Sequence, residues 1–506
     1  MAKDLTSADV TVAVFGAGTM GRGIAQVCAQ AGIPTLLSDA RPGVVTEAIA
    51  SIAKALEGQV SKGRMTADAR QGVLDRLREF KSYDEAASAG VVIEAIVENL
   101  AEKRQLFCEM EKRVAPDALL ATNTSSLSVT EIAAGCARPE RVCGLHFFNP
   151  PPVMRLVEVI GGLRTEPALI PMLVGFVKRL NKHPVVATDS PGFVVNHAGR
   201  AYGPEALRIV SQGIANPLEV DILMKEAAGF RMGPFELLDL VGGDVTHAVM
   251  VSIYNQYFGE PIYQPSAQMT VRVAGGLLGR KSKQGFYSYQ RSPATSPPTV
   301  AVPARPVPAS AWIADEDGGR ELAEWLKVAG TKCTLGGTPE AGALCFVTPL
   351  GEDASNAAVR LKLDPTRTVA VDMLGRFPGR RTVMKTPLTT LETLGAAVAT
   401  LSAGGTAVTA INDSAGFVVQ RLLAMIVNVG TRIAELRIAW PGDIDTAVEI
   451  GLNYPKGPLA LGDMLGPARV LAVLDGMHAI TLDPKYRASP WLRRRARLGI
   501  SLLTAD

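Results

Sequence analysis

Hydrophobic positions in the first 190 residues come in short aliphatic runs separated by stretches with helical spacing. Val10 to Phe15 reads as a buried strand, Ile24 to Ala31 as a helix, and the apolar positions ending at Asp39 as a second strand, which together make a β-α-β unit. A helical region from Val44 to Phe80 precedes a strand at Val91 to Val97 and a charged helix at Glu102 to Val114. Further strands at Ala118 to Thr122, Val142 to Phe148 and Leu156 to Ile160 alternate with helices. Such alternation predicts an α/β, Rossmann-type doubly wound parallel sheet. From about Asp189 the strand pattern stops, and amphipathic helices from Phe193 to near Tyr289 predict an all-α domain.

The second half repeats the first. DSPGFVV at Asp189 returns as DSAGFVV at Asp413, and MGPFELLDLVG at Met232 returns as KGPLALGDMLG at Lys456, both displaced by 224 residues. A proline-rich run, Arg291 to Ser310, separates the halves and suits a semi-extended linker. The expected organisation is a dinucleotide-binding domain at 1–188, a helical domain at 189–290, a linker at 291–311, a degenerate Rossmann-like remnant at 312–411 and a second helical domain at 412–506. The remnant is seen around Leu344 and from Leu391 to Ile411. No glycine-rich turn is evident there, so the second copy is expected to bind no dinucleotide.

Composition adds boundaries rather than chemistry. With 506 residues, 47% hydrophobic and 20% charged, the chain can bury several cores. A net charge of +3 gives no global pull towards nucleic acid or an anionic membrane. The six cysteines form no CxxC pair and read as reduced thiols, and no apolar leader or membrane-length run is seen, so the expected location is the cytoplasm. The run Arg493 to Arg497 reads as a solvated helix face.

GAGTMG places Gly16, Gly18 and Gly21 between a predicted strand and a predicted helix, with Thr19 and Met20 at the helix start. Gly16 allows the tight turn, Gly18 close approach of a pyrophosphate and Gly21 helix–strand packing, while the helix N-terminus offers N–H groups to phosphate. Asp39 follows Gly18 by 21 residues, where a carboxylate can bind ribose hydroxyls and disfavour a 2′-phosphate; this points to NAD, with Arg41 as a qualification. NTSSLS (Asn123–Ser128) and GLHFFNPPPVMRLVEV (Gly144–Val159) put His146, Asn149 and Glu158 near strand ends, where such sheets bind ligands. Alone, His146 reads as a core histidine, while Glu158 reads equally as an exposed strand residue or a site residue and Asn196 equally as a helix cap or a site residue.

Taken together, NTSSLS, HFFNP with its following PVMRLVEV, DSPGFVVN and MGPFELLD resemble the 3-hydroxyacyl-CoA dehydrogenase family, over Val10 to Tyr289 and again over the repeated helical domain. The resemblance implies NAD-dependent, metal-free oxidation of an L-3-hydroxyacyl-CoA. It implies catalytic roles for Ser125, His146, Glu158 and Asn196, with His146 as base, Glu158 orienting it, and Ser125 and Asn196 hydrogen-bonding the reacting oxygen. It also implies cofactor contacts at Glu98, Lys103, Ser125, Asn149 and Lys281, and CoA contacts at Ser51 and Lys54. The length, linker and degenerate second copy resemble the family's two-copy bacterial form, which implies 3-hydroxyadipyl-CoA of phenylacetate catabolism as substrate. The alternatives are a 3-hydroxybutyryl-CoA or general fatty-acid enzyme and a vestigial NAD-binding protein. An acyl-CoA substrate is the expected partner, without nucleic acid or membrane, and a homo-oligomer is left open.

Overall fold

The computed structural model describes residues 5, 7, 9–290, 305–375 and 379–506. Its first sheet has eight strands: β1 Val12–Phe15, β2 Thr35–Ser38, β3 Leu77–Glu79, β4 Val91–Glu94, β5 Leu119–Thr122, β6 Val142–Phe147, β7 Leu156–Gly161 and β8 His183–Thr188. They lie in the order β3-β2-β1-β4-β5-β6-β7-β8, all neighbours parallel except β6 and β7. Alternate strand residues feed two cores. Val12 and Val14 pack with Ile24, Val27 and Phe176 on one face, and Ala13 and Phe15 pack with Leu106, Phe107 and Met110 on the other. Helices on both faces make the sheet doubly wound, and the near-continuous apolar strands follow from burial on both sides.

Two features depart from expectation. The helical region Val44 to Phe80 is two helices, Val44–Val60 and Ala67–Asp75, followed by β3. A three-residue strand is too short to imprint a period of two, and β3 forms only because β2 offers an edge. The sheet also gains β8 beyond Ile160, and β7 runs antiparallel to β6 because a hairpin rather than a crossover joins them.

The second sheet comprises β9 Ser310–Ile313, β10 Lys332–Leu335, β11 Leu344–Val347, β12 Thr368–Val371, β13 Arg380–Lys385 and β14 Ala407–Ile411, in the order β10-β9-β11-β12-β13-β14. β7 and β8 map onto β13 and β14 by the same 224-residue offset as the helical motifs. The antiparallel pair β6–β7 reappears as β12–β13, whereas β9 pairs directly with β11, so among the described residues β3, β4 and their helices have no counterpart. Most of the expected linker, 291–304, lies outside the described residues, and β9 begins at Ser310, inside the linker's expected end.

A trace of the glycine turn does persist. Gly319, after β9, would place a Cβ 2.4 Å from Ala314 O, just as Gly21 would meet Gly16 O at 1.7 Å. The packing glycine therefore survives, while the positions of Gly16 and Gly18 carry Ala314 and Glu316, and Glu316 pairs with Arg360 at 2.7 Å. A carboxylate thus stands at the position matching Gly18, where it would repel an anion.

The chain divides into two compact units, 1–197 with 436–453, and 198–435 with 454–506. In the second unit, Glu205 of the first repeat is fully buried, with Arg421 and Lys485 of the second 3% exposed each. Arg421 Nε donates to Glu205 Oε1 at 2.8 Å, the Tyr486 hydroxyl donates to the same oxygen at 2.9 Å, and Lys485 Nζ lies 3.2 Å from Oε2. The arginine run is less solvated than expected. Arg495 is 3% exposed over the Trp491 ring because its guanidinium caps the chain's last turn at Thr504 O. Among the described residues no single helix is long and apolar enough to cross a membrane.

Burial would raise the Glu205 carboxyl, but Arg421 and Lys485 hold it below the ordinary glutamate range. Its stabilisation is therefore complete above that ordinary value and is lost as pH falls through the lower folded value. Glu205→Gln is expected to cost about 3 to 5 kcal/mol of unfolding free energy at neutral pH, measured by urea titration. The gap to the wild type should shrink in acid.

Candidate active site

Strand ends create the site. Phe15, Ser38, Glu94 and Thr122 stand in register at the C-terminal edge of β1, β2, β4 and β5, and β6 ends beside them at Phe147. Gly16 has φ +95° and its absent Cβ would meet Ala95 O at 2.4 Å, so only glycine makes this turn. Gly18 has nothing within 4 Å of an added Cβ, and the helix Thr19–Gln30 starts immediately after it. Open space at a helix N-terminus fits a pyrophosphate. Asp39, just past β2, accepts from Ala17 N at 2.9 Å and from Arg41 N and Nε at 3.0 and 3.1 Å. Burial pushes its carboxyl up, but these donors bring it below the usual aspartate value. The turn and the acid thus form one hydrogen-bonded unit suited to NAD, and Arg41 is engaged by Asp39 itself.

A second layer sits behind the serine loop. Glu98 Oε1 accepts from Thr124 Oγ1 at 2.6 Å, Ser125 N at 3.0 Å, and Ser126 N and Oγ at 3.0 and 2.8 Å. Lys103, expected to touch the cofactor, is instead 1% exposed, with Nζ 2.6 Å from Glu94 Oε1 and 3.1 Å from Glu98 Oε2. An ammonium enclosed by two carboxylates acts on the serine loop through Glu98. Burial would raise Glu98, but Lys103 and the Thr124 and Ser126 hydroxyls hold it below the ordinary range. Glu94 is pushed up by its burial. It also accepts from Thr122 Oγ1 at 2.7 Å and Ile96 N at 2.9 Å. Sequence reading passed over Glu94; the signal was a lone acid ending an apolar strand, VVIE.

The centre of the site is a cross-strand pair. His146 on β6 and Glu158 on β7 are opposite each other in the antiparallel register, and His146 Nδ1 lies 2.6 Å from Glu158 Oε2. Glu158 is 0% exposed, and its other oxygen accepts from Val194 N and Val195 N, both at 3.0 Å. Those two N–H groups are aimed by Gly192 and Phe193, which take φ +77° and +47° at the start of the helix Val195–Ala198. An acceptor at Nδ1 orients the ring so that Nε2 is left as its proton acceptor. Phe148 and Phe193 flank the imidazole with centroids at 4.4 and 5.7 Å. Asn196 Nδ2 donates to Ser125 O at 3.4 Å, which brings Ser125, His146, Glu158 and Asn196 into one neighbourhood. Asn123 Oδ1 accepts from Phe147 N at 2.8 Å, and Asp189 caps the next helix through Ser128 Oγ, Val129 N and Thr130 N; neither role was visible in the sequence.

The remaining expected residues stand on other elements. Asn149 is exposed just beyond β6. Ser51 and Lys54 sit one turn apart on the helix Val44–Val60. Lys281 belongs to the second compact unit, where its ammonium pairs with Asp244.

The second sheet shows what the pair becomes when it is lost. Asp372 N donates to Thr382 O at 3.2 Å, so Asp372 and Thr382 occupy the positions of His146 and Glu158, and Gln420 that of Asn196. Gln420 Nε2 donates to Pro349 O and to Asp372 Oδ1, each at 3.1 Å, and burial lifts Asp372 to about 6. No imidazole stands at the matching position, so among the described residues the histidine–glutamate pair occurs in the first sheet and not in the second.

A Rossmann sheet with an NAD-fitted glycine turn and a buried histidine–glutamate pair at the same edge defines a nicotinamide-dependent dehydrogenase. The model of the 3-hydroxyacyl-CoA dehydrogenase NAD binding domain matches residues 11–190, and that of its C-terminal domain matches 192–289 and again 416–501. The chain belongs to the 3-hydroxyacyl-CoA dehydrogenase family, and it is an NAD-dependent enzyme of that class acting on an acyl-CoA. It is 36% identical to the 3-hydroxyadipyl-CoA dehydrogenase of Escherichia coli (strain K12), over 96% of this chain and 98% of that one. It is 40% identical to the human mitochondrial hydroxyacyl-coenzyme A dehydrogenase, over 55% of this chain and 91% of the relative. The crystal structure of 3-hydroxybutyryl-CoA dehydrogenase from Escherichia coli K12 superposes with a TM-score of 0.86 and 35% identity, covering 97% of this chain and 98% of that one.

Removing the cation beneath the serine loop separates its two consequences. Lys103→Met is expected to cost about 3 to 5 kcal/mol of stability, read by urea titration, because Glu94 is left buried without its partner. Glu98→Gln should keep most of the stability but lower kcat/KM by about 10- to 100-fold, measured by NADH absorbance, as the Ser125 loop loses its common acceptor.

Proposed function

We propose that His146 is the general base for oxidation of the 3-hydroxyl of an L-3-hydroxyacyl-CoA, and the acid in the reverse direction. The observation that carries this is the 2.6 Å contact of His146 Nδ1 with Glu158, a carboxylate whose second oxygen is filled by two backbone N–H groups. A carboxylate held in that way orients the ring and stabilises the imidazolium formed when Nε2 takes the hydroxyl proton. Ser125 and Asn196 hydrogen-bond the reacting oxygen and align C3. Gly16, Gly18, Thr19, Met20, Gly21, Asp39, Glu98, Asn149 and Lys281 are proposed to hold NAD, with Lys103 acting behind Glu98, and Ser51 and Lys54 to contact CoA. When bound, NAD+ supplies the hydride acceptor.

The acyl group we propose is 3-hydroxyadipyl, with a place in phenylacetate catabolism. This is supported by the name of the Escherichia coli relative that matches end to end, including the second copy. A 3-hydroxybutyryl substrate is the second reading, supported by the name of the superposed crystal structure.

The test is NADH oxidation with 3-oxoadipyl-CoA and acetoacetyl-CoA side by side. Preference for the adipyl thioester supports the first reading, and preference for acetoacetyl-CoA overturns it in favour of the second. In the same assay, His146→Ala is expected to lower kcat by about 10² to 10⁴ while NADH affinity, measured by fluorescence titration, stays within about twofold. Retained turnover would remove His146 from the chemistry.

A further inference from the structure

The segment Leu436–Asn453 belongs to the second repeat by sequence but to the first compact unit by packing. Its helix, Pro441–Leu452, lies on β7 and β8, buries Pro441, Ile444, Ala447 and Val448, and is preceded by Ile438, whose carbonyl accepts from Thr188 N at 2.8 Å. The second unit holds the reciprocal arrangement: the first repeat's helix Pro217–Glu226 packs on β13, and Asn412 N donates to Ile214 O at 3.0 Å. Thr188 and Asn412, like Ile214 and Ile438, are related by the 224-residue offset. Each repeat thus lends one helix to the other's sheet, which is the reciprocity of a self-complementary interface achieved within one chain.

The lent helix meets the face of β7 that bears Glu158. Leu156 and Glu158 share that face because strand residues two apart point the same way. A Cβ on Gly451 would lie 2.9 Å from Leu156 Cδ2 and 3.0 Å from Val195 Cγ2. Val195 supplies one of the two N–H groups on Glu158 and immediately precedes Asn196. Gly451 lies inside a helix, where glycine is less stable than alanine by roughly 0.5 to 1 kcal/mol, so close approach rather than backbone freedom accounts for it. At the matching position over the lost pair stands Ala227, which with Asp372, Thr382 and Val419 lines a small cavity. Glycine is thus found where the pair is intact and alanine where it is gone.

We infer that Gly451 is a positioning residue for the reaction, through which the second repeat sets where Val195 and Asn196 stand and hence how Glu158 holds His146. This rests on the reading of His146 and Glu158 as the proton-transfer pair. In the full chain, Gly451→Val is expected to lower kcat about tenfold or more with KM for NADH within about twofold, because the added carbons press on Leu156 and Val195, which flank Glu158, and leave the glycine turn alone. Adding Val195→Ala removes the atoms that collide and should restore kcat to within about threefold. Gly451→Ala should show the same pattern more weakly, and it decides the matter if the valine variant is insoluble. Ala227→Gly should leave kcat unchanged. Wild-type kcat in both Gly451 variants, or a loss that Val195→Ala does not relieve, overturns the inference. His146→Ala run in parallel distinguishes the two ideas, since full turnover in that variant would remove the pair itself from the chemistry.

Discussion

A carboxylate with no solvent exposure, set in the middle of a strand, must find all its hydrogen bonds inside the protein. Glu158 does so with the imidazole of His146 on one oxygen and the N–H groups of Val194 and Val195 on the other. Much of the first unit is arranged to make that possible. The antiparallel turn from β6 to β7 sets histidine and glutamate across from each other, and the left-handed residues Gly192 and Phe193 swing two amides onto the glutamate. Satisfying the acid in this way also fixes Asn196, one residue further on, against the Ser125 loop.

The same rule explains the layer beneath the serine loop. Glu94 and Lys103 are buried so deeply that each charge needs an opposite neighbour, and the chain ends on the more exposed Glu98, whose one oxygen gathers the Thr124, Ser125 and Ser126 groups. Buried ion pairs contribute little net stability when complete and cost much when broken, so their effect is to hold one geometry. That is what a site needing sub-ångström alignment requires.

Duplication released one copy from this constraint. In the second sheet the loss of β3, β4 and their helices removed the ground on which the Glu98 layer stands, and Glu316 took a position that must stay open for phosphate. The pair itself decayed to Asp372 and Thr382. What was retained is packing. The helix exchanged between repeats and the Glu205–Arg421–Lys485 cluster use residues of both copies, so losing either copy would expose apolar faces and unpaired charges.

The sequence by itself determined the glycine turn, the acid at Asp39, the alternation of strands and helices and the 224-residue repeat, and it singled out Ser125, His146, Glu158 and Asn196, which the structure brings into one neighbourhood. These are local patterns or motifs, carried by residue type at fixed spacing. It did not reveal β3, the antiparallel turn of β7, the burial of Lys103, the role of Glu94 or the exchange of helices. A three-residue edge strand has no period of its own, a strand's direction depends on which neighbour it finds, and the partner of a buried charge can lie anywhere in the chain. Lys103 and an exposed helical lysine look alike in sequence; only the tertiary structure decided that this one is closed between two carboxylates, because burial is a property of what surrounds a residue and not of the residue itself.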